Sequence, residues 1–366
     1  SCRELQEICE LSRHACSSVL WWWSVRIKLQ DVAALAGVSE ATVSRVVNGK
    51  AGVAETTRSK VLAVLAELGY APPALHPPRA GAIGLIVPEL DNPIFPRFVQ
   101  AIEARLLTSG YVCVLCCATR VGASEDDYVD SLLGRGVAGV IVISGRHADT
   151  QGDHSVYDRL RESDIPLVVV NGAIEGSGIA AVSTDDRDAT VTAYEHLLEL
   201  GHERIGFVTG PSMYVPVQRK LDGFRSAAAA AGVSTDETEQ RIAESTFTLE
   251  GGAAGTRRLL DVGVTAIIAA SDMMALGAIG AVREHGLEVP DDVSVVGYDD
   301  TDLMRFTDPP LTTIRQPVER LADHIATEIL GQIGGRPPDV HETLFRGELI
   351  ARSTTARCCT VVVSGR

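Results

Sequence analysis

Aromatic residues are scarce in this sequence. They make up 5% of the 366 residues, and the three tryptophans stand together at positions 21–23. This scarcity, with abundant alanine and valine, favours a layered α/β protein over an all-β sandwich. Long apolar runs are also missing: no stretch approaches the ~18 residues of a membrane span, and residues 19–23 are too short for a signal-peptide core. We therefore expect a cytoplasmic protein that has no membrane segment.

Cysteines with a complete metal-ligand spacing are lacking too. The eight cysteines include one Cys-x-x-Cys pair, Cys113 and Cys116, and no second pair completes a zinc site. The pair lies in an apolar stretch, residues 111–118, that is typical of a buried strand. The sequence therefore predicts structural thiols in a reducing compartment, with no metal and no other cofactor.

Positive charge is in short supply, because the chain carries a formal net charge of −15. The charge is unevenly distributed: residues 1–80 carry nine Lys or Arg and seven Asp or Glu, so the excess of acid lies in the rest of the chain. Binding to phosphates requires only local positive charge. This asymmetry is a weak indication of a nucleic-acid-binding module at the N-terminal side.

The segment 27–70 has the pattern of a helix-turn-helix domain. A short helix over 30–36 is broken at Gly37, and Ser39 is a good N-cap for a second helix over 40–47. A third helix is predicted over 55–68. In a helix-turn-helix the second helix enters the major groove by its N-terminal half. The same spacing is also compatible with a plain three-helix bundle.

Nine residues of this segment are candidates for contact with DNA. Glu40 and Ala41 open the second helix and face outward, and Arg45 is long enough to reach guanine O6 and N7. Polar side chains around them are suited to phosphate contacts. The candidate set is Lys28, Ser39, Glu40, Ala41, Thr42, Ser44, Arg45, Asn48 and Thr57.

Apolar strands alternate with helices from residue 83 onward. Two such series, before and after residue 172, predict two lobes, each with a doubly wound parallel sheet. A ligand would bind between the lobes, at the carboxyl ends of the strands. Residues 71–82 contain four prolines and predict a stiff hinge linker, whereas residues 1–26 and 357–366 are tails without an assigned role.

Residues 29–49, LQDVAALAGVSEATVSRVVNG, resemble the headpiece of the lactose/galactose repressor family. The resemblance continues through residues 83–88, 91–95, 200–207, 275–278, 295–300 and 310–314, and covers roughly residues 27–356. It implies a core like that of periplasmic sugar-binding proteins, with three chain crossings between the lobes. By analogy these fall near residues 171–173, 312–314 and 339–343. Lobe one is then 83–172 with 314–340, and lobe two 173–313 with 341–356.

The resemblance implies a DNA-binding transcriptional regulator, a repressor in function. A homodimer would read a palindromic operator, and a small effector, a sugar or related metabolite, would control its affinity for DNA. The implied effector-binding residues are Asp91, Asn92, Phe95, Lys220, Phe247, Asp272 and Asp299. Two of these have simpler interpretations, since Asp272 could cap a helix and Phe247 could be a core residue.

The sequence departs from the family pattern at three places. Lys220 stands where the family has an arginine that clamps the effector, and Ser271 stands where it has an asparagine. The linker is also short, and Pro77 and Pro78 oppose the hinge helix that inserts a leucine into the minor groove. With Leu75 as the only leucine available, we expect this insertion to be weak or absent.

Two other classes of function are alternatives to a DNA-binding regulator. The departures leave open a solute-binding or sensor protein in which an impaired hinge no longer couples the ligand to DNA. An enzyme is disfavoured, because the one loose Gly-x-Gly-x-x-Ala motif, at residues 176–181, precedes a strand-like segment instead of opening a helix.

Overall fold

The computed structural model describes residues 29–47, 53–67, 80–119 and 122–358. The chain divides into two units, Ser1–Arg79 and Ala80–Arg366, which are called here the headpiece and the core. Lys28, Asn48 and the linker residues 71–79, with Leu75, lie outside the described residues, so the predictions made for them stay predictions. Within the described ranges, none of the helices has the length and apolar character needed to cross a bilayer.

The headpiece contains helices α1 (Leu29–Ala36), α2 (Glu40–Val47) and α3 (Glu55–Glu67), as the sequence predicts to within one residue. Gly37 makes the turn between α1 and α2 at a φ of 65°, a left-handed conformation that glycine adopts without steric cost. The hydrophobic interior of the headpiece contains five side chains that are at most 1% exposed: Val32, Val43, Val46, Val61 and Leu65. These branched apolar side chains fix the angle at which α2 presents its outer face.

The first sheet of the core has six parallel strands in the order β11-β5-β4-β3-β1-β2. Continuous apolar sequence in the inner strands of this sheet is explained by burial on both faces, whereas the edge strand over Tyr111–Cys117 is mostly half-buried. The strands are β1 (Gly81–Val87), β2 (Tyr111–Cys117), β3 (Gly139–Ile143), β4 (Leu167–Val170), β5 (Ala180–Thr184) and β11 (Thr343–Phe345). Its helices are α4 (Ile94–Thr108), α5 (Glu125–Gly134), α6 (Ser155–Glu162) and α12 (Val318–Ile333).

The second sheet has the order β12-β10-β9-β8-β6-β7. All its pairings are parallel except that between β10 and the edge strand β12. The strands are β6 (Ile205–Thr209), β7 (Ile242–Glu244), β8 (Ala266–Ala269), β9 (Ser294–Asp299), β10 (Thr312–Arg315) and β12 (Glu348–Ile350). Its helices are α7 (Asp186–Glu199), α8 (Val215–Ala230), α9 (Thr235–Gln240), α10 (Leu249–Asp261) and α11 (Asp272–Glu284).

The chain passes three times between the two sheets, but the first crossing is at another place than the resemblance implies. The first crossing comes after β5, because β5 pairs with β4 in the first sheet. The second comes after β10, which pairs with β9, and the third separates β11 from β12. The predicted crossing near 171–173 is therefore wrong, whereas the second and third crossings lie within a few residues of the predicted 312–314 and 339–343.

The limits of the lobes move accordingly. Lobe one consists of residues 80–185 and 316–346, and lobe two of residues 186–315 and 347–358. The error arises because the loop at 171–179 joins two strands of one sheet without a helix. The later strands β11 and β12 are only three residues long and have little apolar pattern.

Helices α10 and α11 pack with their backbones in close approach. A Cβ on Gly277 would lie 1.9 Å from the carbonyl oxygen of Leu249, and one on Gly252 would lie 2.2 Å from that of Met274. Only glycine fits at either position, since real Cβ atoms do not come within 3.0 Å of another heavy atom. The helix that begins at Asp272 is thereby fixed against its neighbour.

Candidate functional sites

The outer face of α2 is polar and accessible. Glu40, Ala41 and Arg45 are exposed, whereas the valines of the same helix point into the headpiece core. The side chains therefore divide by helical period into a buried apolar face and a free polar face. An exposed arginine one turn into the helix, on a rigid support, can reach the edge of a base.

Ser39 begins this helix as the sequence predicts. Its Oγ accepts from the backbone N–H of Thr42 at 3.2 Å and lies 2.9 Å from the Thr42 hydroxyl. Thr42 and Ser44 are half-buried, and Thr57 is half-buried near the start of α3. The assignment of these side chains to phosphates or bases stays a prediction.

Most of the effector candidates lie at or just after the carboxyl ends of strands, whereas Lys220 lies within helix α8. On lobe one, Asn92 is 7% exposed, and its Oδ1 accepts from the backbone N–H of Ile94 at 3.2 Å. Asp91 is exposed, and Phe95 is half-buried against the lobe-one core. This lobe thus presents an amide and part of an aromatic ring at its edge, with one solvated carboxylate.

Asp272 is not the cap of its helix. Ser271 is, because its Oγ accepts from the backbone N–H of Met274 at 3.2 Å. The Asp272 carboxylate is 1% exposed and accepts from the Thr313 hydroxyl at 2.6 Å and from the Thr301 N–H at 2.9 Å. Burial raises the pKa of Asp272 to about 7, against the effect of these hydrogen bonds. Its oxygens are already used inside lobe two.

Asp299 ends β9 and has the least satisfied carboxyl group of the site. It is 3% exposed and has a φ of 123°, which non-glycine residues rarely adopt and which costs of order 1–3 kcal/mol. Its Oδ1 accepts from Gln316 Nε2 at 2.7 Å. Its Oδ2 is buried without a hydrogen-bond partner among the described residues. Burial, and then the charge of Asp272, raises the pKa of Asp299 well above its ordinary value.

Lys220 lies inside lobe two. It is 5% exposed, and its Nζ donates to Asp186 and sits 3.9 Å from the centre of the Tyr298 ring. The Tyr298 hydroxyl donates to the same Asp186 oxygen at 2.6 Å. A lysine that is stacked and paired in this way is a poor clamp for a ligand, although its charge lowers the pKa of Asp299.

Phe247 is half-buried beside the carboxyl end of β6. A Cβ on Gly210 would lie 2.1 Å from its ring, so the glycine makes room for the aromatic side chain. The ring also packs against the lobe-two core, which agrees with the simpler interpretation as a core residue. Its partial exposure leaves an apolar surface that suits one face of a sugar ring.

Sequence reasoning did not find the arginines that surround Asp300. Arg315 Nε and Arg352 Nη2 donate to its two carboxylate oxygens at 2.7 and 2.6 Å. Arg97 of lobe one donates to its backbone carbonyl at 3.0 Å, across the boundary between the lobes. Asp300 has a φ of 52°, and the sequence motif Tyr-Asp-Asp at 298–300 was the only signal that marked this strand end.

Further contacts join the lobes. Arg219 of lobe two forms a bidentate ion pair with Glu342 of lobe one, with Nη1 and Oε1 2.9 Å apart. In turns of the two lobes, the Thr150 N–H donates to the Met213 carbonyl at 3.0 Å. These contacts hold the lobes together on either side of the candidate effector residues.

Lobe one contains a buried polar network of its own, which the sequence also did not indicate. His147 is 1% exposed; its Nε2 lies 2.9 Å from the Val170 carbonyl, and its backbone N–H donates to the Tyr157 hydroxyl at 2.8 Å. Tyr157 in turn donates to Glu125. Burial lowers the pKa of His147 to about 4, so the imidazole is neutral near pH 7.

Within the described ranges, no group of acidic, histidine or cysteine side chains is arranged to hold a metal ion.

Comparison with known proteins places both units in one family. Residues 28–73 match the bacterial regulatory proteins of the lacI family, and residues 194–355 match the periplasmic binding protein-like domain. The HTH-type transcriptional regulator MalR of Streptomyces coelicolor is 49% identical over 332 residues, which are 90% of this chain and 96% of that protein.

Two solved structures show the same arrangement of elements. A complex of the transcriptional regulator CelR with cellobiose matches with a TM-score of 0.68 and 32% identity, over 90% of this chain and 100% of that one. A lac repressor dimer bound to operator and the anti-inducer ONPF matches with a TM-score of 0.66 and 30% identity, over 90% and 99%. The chain therefore belongs to the lacI family of bacterial regulatory proteins and is a helix-turn-helix transcriptional regulator.

Proposed function

We propose that this regulator is a repressor that binds a palindromic operator as a homodimer and that a small carbohydrate bound between its lobes controls its affinity for DNA. The open acceptor on Asp299 carries the proposal. A buried, strained carboxyl group with an unused oxygen, at the boundary between two lobes, suits a ligand that supplies hydroxyl donors.

The neighbouring residues support a carbohydrate. The partly exposed ring of Phe247 offers an apolar surface, and Asn92 offers an amide from the other lobe. The similar CelR was solved with cellobiose. Because contacts come from both lobes, a bound ligand would change the free energy of lobe closure, and that change can be coupled to DNA binding.

Operator selection tests the DNA half of the proposal. The full chain is incubated with a random duplex pool at fixed salt, and the bound DNA is sequenced. We expect a two-fold symmetric sequence to be enriched, because two copies of α2 read two half-sites. Absence of enrichment from a folded, dimeric protein would favour the alternative, a sensor or solute-binding protein whose hinge no longer couples ligand to DNA.

Arg45→Ala sharpens that test. If Arg45 reads a base, its loss lowers affinity for the selected operator by about 1–3 kcal/mol and relaxes the sequence preference at one position of each half-site. Lys60→Ala, which removes an exposed cation from α3, is the matched control and leaves the preference intact. Equal effects of both substitutions would show that Arg45 does not contact a base.

Release of the selected operator by neutral sugars tests the ligand half. Glucose, ribose, maltose and cellobiose are titrated into the protein–operator complex, and binding is followed by fluorescence anisotropy of labelled DNA. A saturable change with at least one sugar supports the proposal, and no response to any of the four contradicts it.

A further inference from the structure

We propose that Asp299 carries a proton in the ligand-free protein and releases it when a ligand hydroxyl donates to Asp299 Oδ2, so that ligand affinity rises with pH. This inference rests on the proposed function, since it concerns the same site. It adds a regulatory input, the proton, and a requirement on the ligand, which must bring hydrogen-bond donors.

Unequal donor sets identify Asp299 as the proton carrier. The Asp272 carboxylate accepts three hydrogen bonds, one from the Thr313 hydroxyl and two from Thr301. The Asp299 carboxyl group accepts from Gln316 and is approached by the Asn92 side chain, so it has fewer donors than Asp272, and its Oδ2 has no hydrogen-bond partner among the described residues. Two buried carboxyl groups that repel each other do not both ionise readily, and the group with fewer donors keeps the proton.

Charged neighbours do not change this conclusion. The nearest cation, Lys220, is committed to Asp186 and to the Tyr298 ring. The guanidinium groups of Arg315 and Arg352 donate hydrogen bonds to the Asp300 carboxylate. The titratable and polar groups around Asp299 are Lys220 (α8), Asp186 (α7), Asp272 (α11), Tyr298 (β9), Asp300 (after β9), Arg315 (β10), Gln316 (after β10), and Asn92 and Arg97 from lobe one.

Most of the cations that the described residues place at this boundary are already in ion pairs, which restricts the ligand. Arg219 is paired with Glu342, and Arg97 donates to the neutral carbonyl of Asp300. A phosphate or carboxylate on the ligand would therefore face the carboxyl groups of Asp272 and Asp299, with Arg97 as the one described cation here that lacks an anionic partner. A neutral hydroxyl can donate to Asp299 instead, and that hydrogen bond favours the ionised carboxylate.

The exchange is balanced without a co-reactant. The Asp299 O–H bond breaks, its electron pair stays on the carboxylate, and the proton passes to water and buffer. The ligand hydroxyl keeps its own hydrogen and donates it to Oδ2. By linkage, affinity then rises up to about tenfold for each unit of pH while Asp299 is protonated in the free protein, and levels off above its pKa.

Titration calorimetry on the full chain measures the proton directly. Glucose, ribose, maltose and cellobiose serve as probes, and the tightest binder is titrated near pH 6 in phosphate and in Bis-Tris, whose heats of ionisation differ. We expect the difference in heat to correspond to release of close to one proton per site, and we expect affinity to increase from about pH 6 to about pH 8. Equal heats in both buffers, or affinity that is flat or falls with pH, would overturn the inference and leave the proposed function standing.

Phosphorylated probes and one variant pair complete the test. Glucose 6-phosphate should bind at least tenfold more weakly than glucose if glucose binds, and tighter binding would also overturn the inference. In Asp299→Asn the proton release and the pH dependence should disappear, whereas the exposed control Asp302→Asn should retain both. Persistence of the release in Asp299→Asn would contradict the assignment to Asp299.

The wild-type buffer comparison needs no variant and therefore decides the question even if Asp299→Asn does not fold. If none of the four sugars binds, the proposed carbohydrate function fails, and this inference, which rests on it, fails with it.

Discussion

The two lobes of the core have the same sheet order but bury titratable groups of opposite behaviour. In lobe one, burial lowers the pKa of His147, so its imidazole stays neutral. In lobe two, burial raises the pKa values of Asp272 and Asp299, so these carboxyl groups hold a proton at a higher pH than they would in water. At His147 the unfolded chain binds more protons than the folded chain does. At Asp272 and Asp299 the unfolded chain binds fewer protons than the folded chain does. Lobe one is therefore weakened by acid, and lobe two by base.

The comparison shows how one fold can serve two purposes. The polar network of lobe one, from His147 through Tyr157 to Glu125, is hydrogen-bonded internally. The carboxyl groups of lobe two lie at strand ends, and one of them keeps an unused oxygen. Under the proposed function, lobe two holds the carboxyl group that recognises the ligand, and lobe one supplies the Asn92 amide.

The largest effect is expected from breaking the buried ion pair of lobe two. Lys220→Met leaves Asp186 buried without its cation, and we expect the free energy of unfolding to fall by about 3–5 kcal/mol. Urea unfolding of the full chain, followed by circular dichroism, measures the loss. The double variant Asp186→Asn with Lys220→Met should recover much of it. A loss below about 1 kcal/mol from Lys220→Met alone would show that the pair is not effectively buried.

The second prediction concerns acid and lobe one. The pKa of His147 falls from its ordinary 6.5 to about 4 on folding. Its contribution to stability is complete above pH 6.5 and is lost as the pH falls toward 4, by about 3 kcal/mol in total. Hydrogen exchange of peptides from β3 to α6, corrected for intrinsic rates, should show this loss of protection between those pH values. His147→Gln should remove the pH dependence and the exposed control His341→Gln should keep it; the reverse would contradict the assignment.

The smallest effect is expected at an exposed ion pair. Arg257 and Glu284 are 2.6 Å apart, but their side chains are 47% and 62% exposed. Solvent screens such pairs, so Glu284→Gln should change the free energy of unfolding by no more than about 0.5 kcal/mol in the same urea experiment. A change as large as that from Lys220→Met would mean that burial does not govern the difference between these charges.

Features that depend on neighbouring residues in the sequence were predicted better than features that depend on contacts between distant residues. The headpiece helices were found within one residue, because caps, Gly37 and a 3.6-residue apolar period lie within short segments. The ends of β1 and β9 were likewise visible as polar residues after apolar strands. Helix α12 was missed, and the first lobe crossing was misplaced, because pairing between β4 and β5 and between β5 and β11 has no local signature.

The hydrogen-bond and ion-pair partners of the site residues could not be predicted from the sequence for the same reason. Asp300 binds Arg352, which is 52 residues away in the sequence, and its carbonyl binds Arg97, which is 203 residues away. Lys220 was predicted to face the ligand, yet Asp186, which holds it, lies on another helix. A sequence shows which residue types stand at a strand end, but it does not show which of their hydrogen bonds are already satisfied.

The order of the chain also has a consequence for how such regulators diversify by recombination. The headpiece is one continuous segment of sequence and ends at Arg79, whereas each lobe is assembled from two separate segments of sequence. A single genetic exchange near residue 80 can join a given sensor to a different DNA-reading headpiece. No single exchange within the core can transfer one complete lobe without part of the other.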